Sequence, residues 1–274
     1  MIMLDADFQY IRDFVYQKAA IVLEEGKAYL VESRLQPIVR SEGFESLSAM
    51  VSQMRARPMN GLQWKVVEAM TTNETYFFRD VHPFEILRKT ILSELIKRRA
   101  AQRQINVWCA AASSGQEPYT IMMTLREHFP ELSNWKVNFI ASDISKSMLE
   151  RCREGCYSQL EVNRGLPAPL LVKYFQKIGT QWRIHDSMRE VIDFRQINLA
   201  EAWPPIPPMD IIFMRNVLIY FDVQTKKNIM ARLGKLLKPD GCLFLGGAET
   251  TLNIDDSFER VQVGNSAYYQ FAGA

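Results

Sequence analysis

The stretch INVWCAAASSGQEPYTIMM (residues 105–123), followed by WKVNFIASD (135–143), decides the fold. An apolar run of strand length, 105–111, meets a turn of small residues at Ser113, Ser114 and Gly115. A helical pattern starts at Glu117, and a second apolar run, 137–141, ends in Ser142 and Asp143. Strand, helix and strand in that order predict one βαβ half of a doubly wound α/β fold. Ligands of such folds bind outside the carboxyl ends of the strands, where an acid such as Asp143 reaches ribose hydroxyls. A dinucleotide fingerprint needs G-x-G-x-x-G, so that the backbone can approach a pyrophosphate. Gly115 stands alone here, and the P-loop spacing is absent too. A nucleoside without phosphates, such as S-adenosylmethionine, is therefore the better expectation. The competing reading of the same residues is a structural βαβ unit in which Asp143 only caps a helix.

The chain has 274 residues, 47% hydrophobic and 23% charged, as in a soluble globular protein with one large or two modest domains. A net charge of +2 provides no overall field for gripping nucleic acid. No apolar run approaches the ~18 residues of a membrane span. The opening residues, MIMLDADFQY, lack the basic and apolar regions of a secretory signal, so a cytoplasmic location is expected. The cysteines Cys152 and Cys156 are four apart and expected on one helical face, which raises zinc as an option. Such a site needs two more thiolate or imidazole ligands, and His82, His128 and His185 have no metal-binding spacing. Reduced, non-ligating cysteines and no metal are expected.

From residue 8 to about 57, apolar positions recur at helical spacing: Phe8, Ile11, Phe14; Leu35, Ile38, Val39; Leu47, Met50, Met54. With Gly26 and Gly43 as punctuation, Ser46 as a start and Pro58 as a stop, three or four short helices are expected. Arg34 and Arg40 lie on the second of them, where a solvated face and a basic groove for an acidic partner compete. TTNETYFFRD (71–80) is unlike a flexible linker, because Phe77 and Phe78 call for burial. An amphipathic helix follows and ends in Lys97, Arg98 and Arg99, which suit a helix carboxyl terminus. Beyond Asp143, helices are expected over 146–155 and 168–175. A strand-like pattern over 182–194 predicts a hairpin insertion whose second arm runs into VIDFRQIN (191–198). Four prolines between 204 and 208 make a stiff connector. MDIIFMRN (209–216) reads as a buried strand, and TKKNIMARLGKLL (225–237) as a helix stopped by Pro239-Asp240-Gly241. GCLFLGG (241–247) is a further strand, and the last two alternating strands turn at Gly264-Asn265. A mostly parallel sheet finished by an antiparallel strand is the methyltransferase variant of the doubly wound fold.

Several separated strings then match one family. TTNETYFFRD, VWCAAASSGQEPYTIMM, ASDISKSMLE, INL and DIIFMRNVLIYFD resemble the chemotaxis receptor glutamate O-methyltransferases of the CheR type. The resemblance spans nearly the whole chain. It implies an all-α N-terminal domain (1–70), a linker that contributes to the cofactor site (71–83), and a methyltransferase domain (84–274). Within the last, a small antiparallel β-subdomain is implied at about 176–191. The resemblance implies S-adenosylmethionine as cofactor, with S-adenosylhomocysteine as product. Asn73, Thr75 and Arg79 match the linker motif that reaches it. Glu117 matches the acid of the first loop, Asp143 the ribose-binding acid, and Asn198 with Leu199 the pair near the adenine. Arg215 and Asn216 match the residues after the fourth strand, and Tyr220 the tyrosine facing the methyl-donor region. Arg79 and Tyr220 are thereby the catalytic candidates. Arg34 and Arg40 fall on a helix that presents positive charge to the receptor in the family, and so become substrate-binding candidates. The chain departs from the family in having Ala112 where cysteine is frequent and Gln116 where an acid is common. The short insertion leaves open whether a receptor C-terminal pentapeptide is bound.

The implied activity is methyl transfer to receptor glutamates, with the receptors' cytoplasmic helical region as partner and regulatory proteins of the chemotaxis pathway as further partners. Neither nucleic acid nor membrane insertion is expected. A catalytically silent, S-adenosylmethionine-binding adaptor is the alternative. A nucleic-acid methyltransferase is weaker, because Arg215-Asn216-Val217 replaces the N/D-P-P-Y/W string that holds a flipped base.

Overall fold

The computed structural model describes residues 3–56 and 61–273. The chain divides into two compact units. The first is the described part of Met1–Thr72 together with Asn198–Ala202 and Tyr220–Lys226, and the second is the remainder.

Among the described residues four helices lie wholly within the first unit: α1 (Asp5–Ala19), α2 (Ala28–Ser41), α3 (Leu47–Ala56) and α4 (Gly61–Met70). Each buries one stripe at i, i+3 or i+4 spacing: Phe8, Ile11 and Val15 on α1; Val31, Leu35 and Val39 on α2; Leu47, Met50, Val51 and Met54 on α3. On α4 a buried Gln63 donates from Nε2 to the Met54 carbonyl at 3.0 Å, so its amide is accommodated in the apolar interior. Ser46 caps α3 by accepting from the Ala49 amide at 3.1 Å. The expected stop at Pro58 lies outside the described residues.

The second unit is built on a seven-stranded sheet: β1 (Gln104–Ala110), β2 (Lys136–Asp143), β6 (Ile192–Gln196), β7 (Met209–Met214), β8 (Leu237–Leu245), β9 (Phe258–Val263) and β10 (Ser266–Phe271). Its order is β6-β2-β1-β7-β8-β10-β9, parallel except at β10, which runs antiparallel to β8 and β9. The order reverses between β1 and β7, which is the switch point where such sheets bind ligands. β1 and β7 are buried almost throughout, as strands covered on both faces must be. The helices are α5 (His82–Ile86), α6 (Leu92–Arg99), α7 (Gln116–His128), α8 (Lys146–Glu154), α9 (Gln159–Asn163), α10 (Ala168–Tyr174), α11 (Asp186–Arg189) and α12 (Val223–Leu236). A π-helical turn, Leu87–Ile91, joins α5 to α6 without a break.

A second, three-stranded antiparallel sheet of order β3-β5-β4 comprises β3 (Cys156–Ser158), β4 (Phe175–Ile178) and β5 (Gln181–Ile184). It corrects the expected hairpin of 182–194. The turn comes earlier, at Gly179, and α11 separates β5 from β6, which is an edge strand of the main sheet. The alternation over 182–194 ran across that helical turn, which is too short to impose a period of its own. Cys152 lies on α8 whereas Cys156 opens β3, so the two do not share a helical face. The helix before Pro239 ends at Leu236, and Pro239-Asp240-Gly241 sits inside β8 at an irregularity of its pairing with β7. A proline is tolerated there because the ladder is already interrupted.

Candidate cofactor site at the carboxyl ends of the strands

β1 ends at Ala110, and the loop behind it places Ala111, Ser113 and Gly115 in left-handed conformation at φ +66°, +50° and +99°. This winding turns the Ser113 amide toward Asp143 at the end of β2. It donates to Asp143 Oδ2 at 2.8 Å, and the Ser145 amide donates to Oδ1 at 2.9 Å. Two backbone amides thus orient the Asp143 carboxylate. A buried acid held this way at the switch point suits a ribose diol. Gln116 accepts from the Ser114 hydroxyl at 2.8 Å, closing the loop.

The same loop fixes the segment 73–81. Ser113 Oγ donates to the Asn73 carbonyl at 2.8 Å, and the Phe78 amide donates to Thr120 Oγ1 at 3.1 Å. Phe77 is fully buried, edge-on to Tyr157 and Phe175 at centroid distances of 5.1 and 5.7 Å. Such packing contributes beyond area burial. Thr75 is half-buried on this segment. Arg79 is half-buried too: its Nη1 donates to the Glu74 carbonyl at 2.7 Å, and the guanidinium lies 5.8 Å from the Tyr76 ring centre. Phe78, Asp80 and Val81 are left-handed, so the backbone around Arg79 is strained and held by its neighbours.

One of those neighbours is Arg215, at the end of β7, with a side chain 1% exposed. Its Nη2 donates to Asp80 Oδ2 at 2.6 Å and to the Arg79 carbonyl at 3.1 Å, while Nη1 pairs with Glu117 at the start of α7. Glu117 and Arg215 are therefore partners of one another. The Arg215 Nε is buried and has no hydrogen-bond partner among the described residues. The Cys109 thiol donates to Glu117 Oε1 at 3.4 Å, and burial followed by the nearby Glu117 charge pushes its pKa well up, so it is no nucleophile. A buried donor without a partner at the end of β7 and an oriented acid at the end of β2 are the polar groups that would fit a nucleoside ligand.

Asn216 follows Arg215 at φ +57°. Its amide donates to Glu249 Oε2 at 2.7 Å, the first of several contacts from that acid. No sequence signal pointed to Glu249, because GGAETT reads as an ordinary loop.

The remaining candidates belong to the first unit. Asn198 Nδ2 donates to the Lys18 carbonyl at 2.7 Å and Oδ1 accepts from the Ala200 amide at 3.1 Å, and Leu199 is buried. Tyr220 is half-buried, and its carbonyl accepts from the Val22 amide at 2.9 Å. Arg34 donates to the Met70 and Thr71 carbonyls at 2.8 and 3.2 Å and to Thr72 Oγ1 at 3.0 Å, which caps α4. Its guanidinium is thus engaged within the unit, whereas Arg40 is exposed. Among the described residues no group of three or more potential ligands could hold a metal ion.

Comparison with known proteins accounts for both units. The family described as CheR methyltransferase, all-alpha domain, matches residues 6–71, and CheR methyltransferase, SAM binding domain, matches residues 73–266. A chemotaxis protein methyltransferase of Pseudomonas putida is 40% identical, covering 96% of this chain and 97% of its own. Chemotaxis protein methyltransferase 1 of Pseudomonas aeruginosa is 40% identical, over 97% and 98%. A chemotaxis protein methyltransferase of Vibrio parahaemolyticus is 38% identical, over 97% of each.

Proposed function

The chain belongs to the CheR methyltransferase family and uses S-adenosylmethionine, and on that premise we propose that it esterifies glutamate side chains of chemotaxis receptors. The observation that carries the reading is the match of both family domains over nearly the whole chain, with Asp143 oriented at the end of β2. The division into a helical domain (1–70), a linker (71–83) and a methyltransferase domain (84–274) is part of the same proposal. A silent adaptor is not favoured, since the sequence carries the candidates Arg79, Asp143 and Tyr220.

When bound, S-adenosylmethionine supplies an electrophilic methyl group on a sulfonium. Asp143 would hold the ribose, Asn198 and Leu199 the adenine, and Asn73, Thr75, Glu117, Arg215 and Asn216 the rest of the cofactor. A glutamate side chain has a pKa of about 4.3 and is ionised at neutral pH, so no general base is required. Alignment then dominates, and it can be worth ~7–11 kcal/mol. Opposite charges cancel as the methyl moves, so a strong field fixed on either reactant would oppose the reaction. Arg79 and Tyr220 are therefore orienting groups rather than acid and base. Arg40, exposed on α2, is the cation of the candidate pair that faces the acidic receptor, while Arg34 shapes the end of α4. No helix among the described residues is long and apolar enough to cross a membrane, and the protein is proposed to act from the cytoplasm.

The test is transfer of tritiated methyl from S-adenosylmethionine to receptor-bearing membranes. The reading expects label that leaves as methanol on mild base treatment. Base-stable label, or none, would refute it.

A further inference from the structure

Glu249 is buried in the turn after β8, and its carboxylate accepts five backbone amides. Oε2 takes Asn216 at 2.7 Å and Gly246 at 2.6 Å. Oε1 takes Val217 at 2.8 Å, Leu218 at 2.7 Å and Ile219 at 3.4 Å. Four of the five belong to consecutive residues, the segment that runs from the end of β7 into a 3-10 turn at Leu218–Tyr220. Consecutive amides that point the same way cannot find partners in a sheet or in the turn itself, and buried they would each cost about 1–3 kcal/mol unpaired. One carboxylate resolves all of them.

The surroundings are shaped for this contact. A Cβ on Gly246 would stand 2.7 Å from Glu249 Oε2 and 2.9 Å from the Asn216 amide, so only glycine leaves the carboxylate room. The Glu249 amide donates to the Gly246 carbonyl at 2.9 Å, and its carbonyl accepts from the Tyr269 hydroxyl at 3.3 Å, which fixes the acid from both sides. A charged acceptor binds amides roughly twice as strongly as a neutral one, so the ionised side chain matters and not only its shape.

We propose that Glu249 is a positioning residue for methyl transfer, its anion setting the path of residues 216–219 between the cofactor candidate Asn216 and the orienting candidate Tyr220. It touches neither donor nor acceptor in this role. The inference rests on the proposed function for its catalytic consequence, but not for the clamp itself.

Glu249→Gln keeps the size and removes the anion, and Glu249→Asp keeps the anion but retracts it; whichever folds serves. Two readouts are needed. Amide hydrogen exchange should accelerate at 216–219 and 246, and little elsewhere. The kcat for methyl transfer should fall about a hundredfold, as misplacement by an ångström can cause. S-adenosylhomocysteine affinity should fall by a smaller factor than kcat, since Asn216 moves with the segment while Asp143 is held by other groups. Asp210→Asn or Asp240→Asn, in the ion-pair cluster with Arg99 and Lys238, provides the control, whichever matches the Glu249 variant in urea unfolding. The control should keep its kcat. Unchanged exchange at 216–219, a kcat within about twofold of wild type, or an equal loss in the control would overturn the proposal. If the wild-type protein methylates no receptor, the proposed function fails while the exchange experiment still decides the clamp.

Discussion

Asp143 and Arg215 sit at the ends of β2 and β7, the two strands that flank β1, yet they differ in what holds them. Asp143 is oriented by backbone amides, which no side-chain substitution elsewhere removes directly. Asp143→Ala should weaken S-adenosylhomocysteine binding at least about tenfold, the usual loss for a buried charged contact, and should also lower the melting temperature, because the Ser113 and Ser145 amides lose their acceptor. Calorimetry giving unchanged affinity would remove its ribose role. Arg215 is oriented by other charges. Arg215→Met should cost about 3–5 kcal/mol in urea unfolding, because Glu117 is left buried without its partner. The double variant with Glu117→Leu should recover most of that loss; no recovery would contradict the pairing. Arg79→Ala should abolish most turnover while circular dichroism stays native, and wild-type turnover would exclude an orienting role. The sequence placed Asp143 at a strand end because apolar run and acid are adjacent in the chain. It could not reveal that Arg215 and Glu117, 98 residues apart, are partners, nor that Arg34 caps α4. Those are contacts of the folded chain, and composition alone made Arg34 look like a solvated cation.

The segment 73–81 contains neither helix nor strand, and Arg79 depends on its path. Gly165 lies against it at φ +86°, and a Cβ there would stand 2.0 Å from the Phe77 carbonyl oxygen. Gly165→Ala should therefore destabilise by more than ~1 kcal/mol and lower turnover together, since both the strain and the displacement fall on this segment. A silent substitution would show that the segment is not so held. Across the sheet, Arg99 at the end of α6 joins Asp240 and Asp210. The Arg99 guanidinium holds the Asp240 carboxyl below its ordinary range. A depressed acid contributes stability that is present above its unfolded pKa, about 3.9, and is lost as pH falls through the lower folded value. Asp240→Asn should thus be less stable than wild type at pH 7, and the two should converge in thermal melts as pH drops below about 4. A constant difference across that range would contradict the ion pair. The strands and helices of the main sheet were readable because their periods are long enough to be unambiguous. The resemblance implied the small antiparallel sheet, but the periodicity did not give its strand bounds, since its strands are three or four residues long and α11 has only four. At that length a strand and a helical turn leave the same apolar spacing.

Taken as a whole, the chain joins an all-α unit to a sheet of methyltransferase order, and the order itself was foreshadowed by the alternation of strands and helices ending in a hairpin. What the chain order could not supply is where 198–202 and 220–226 belong, because contacts rather than sequence neighbours group them with the first unit. On the receptor, each ester would delete one negative charge from a helical bundle, which relaxes like-charge repulsion between neighbouring helices. Mass spectrometry of a purified receptor cytoplasmic fragment, after incubation with this protein and S-adenosylmethionine, bears most directly on that outcome. The account predicts one added methyl per modified site, located on glutamate side chains and removed by mild base. Methyl groups on any other residue type, or a fragment of unchanged mass in the presence of folded protein and cofactor, would contradict it.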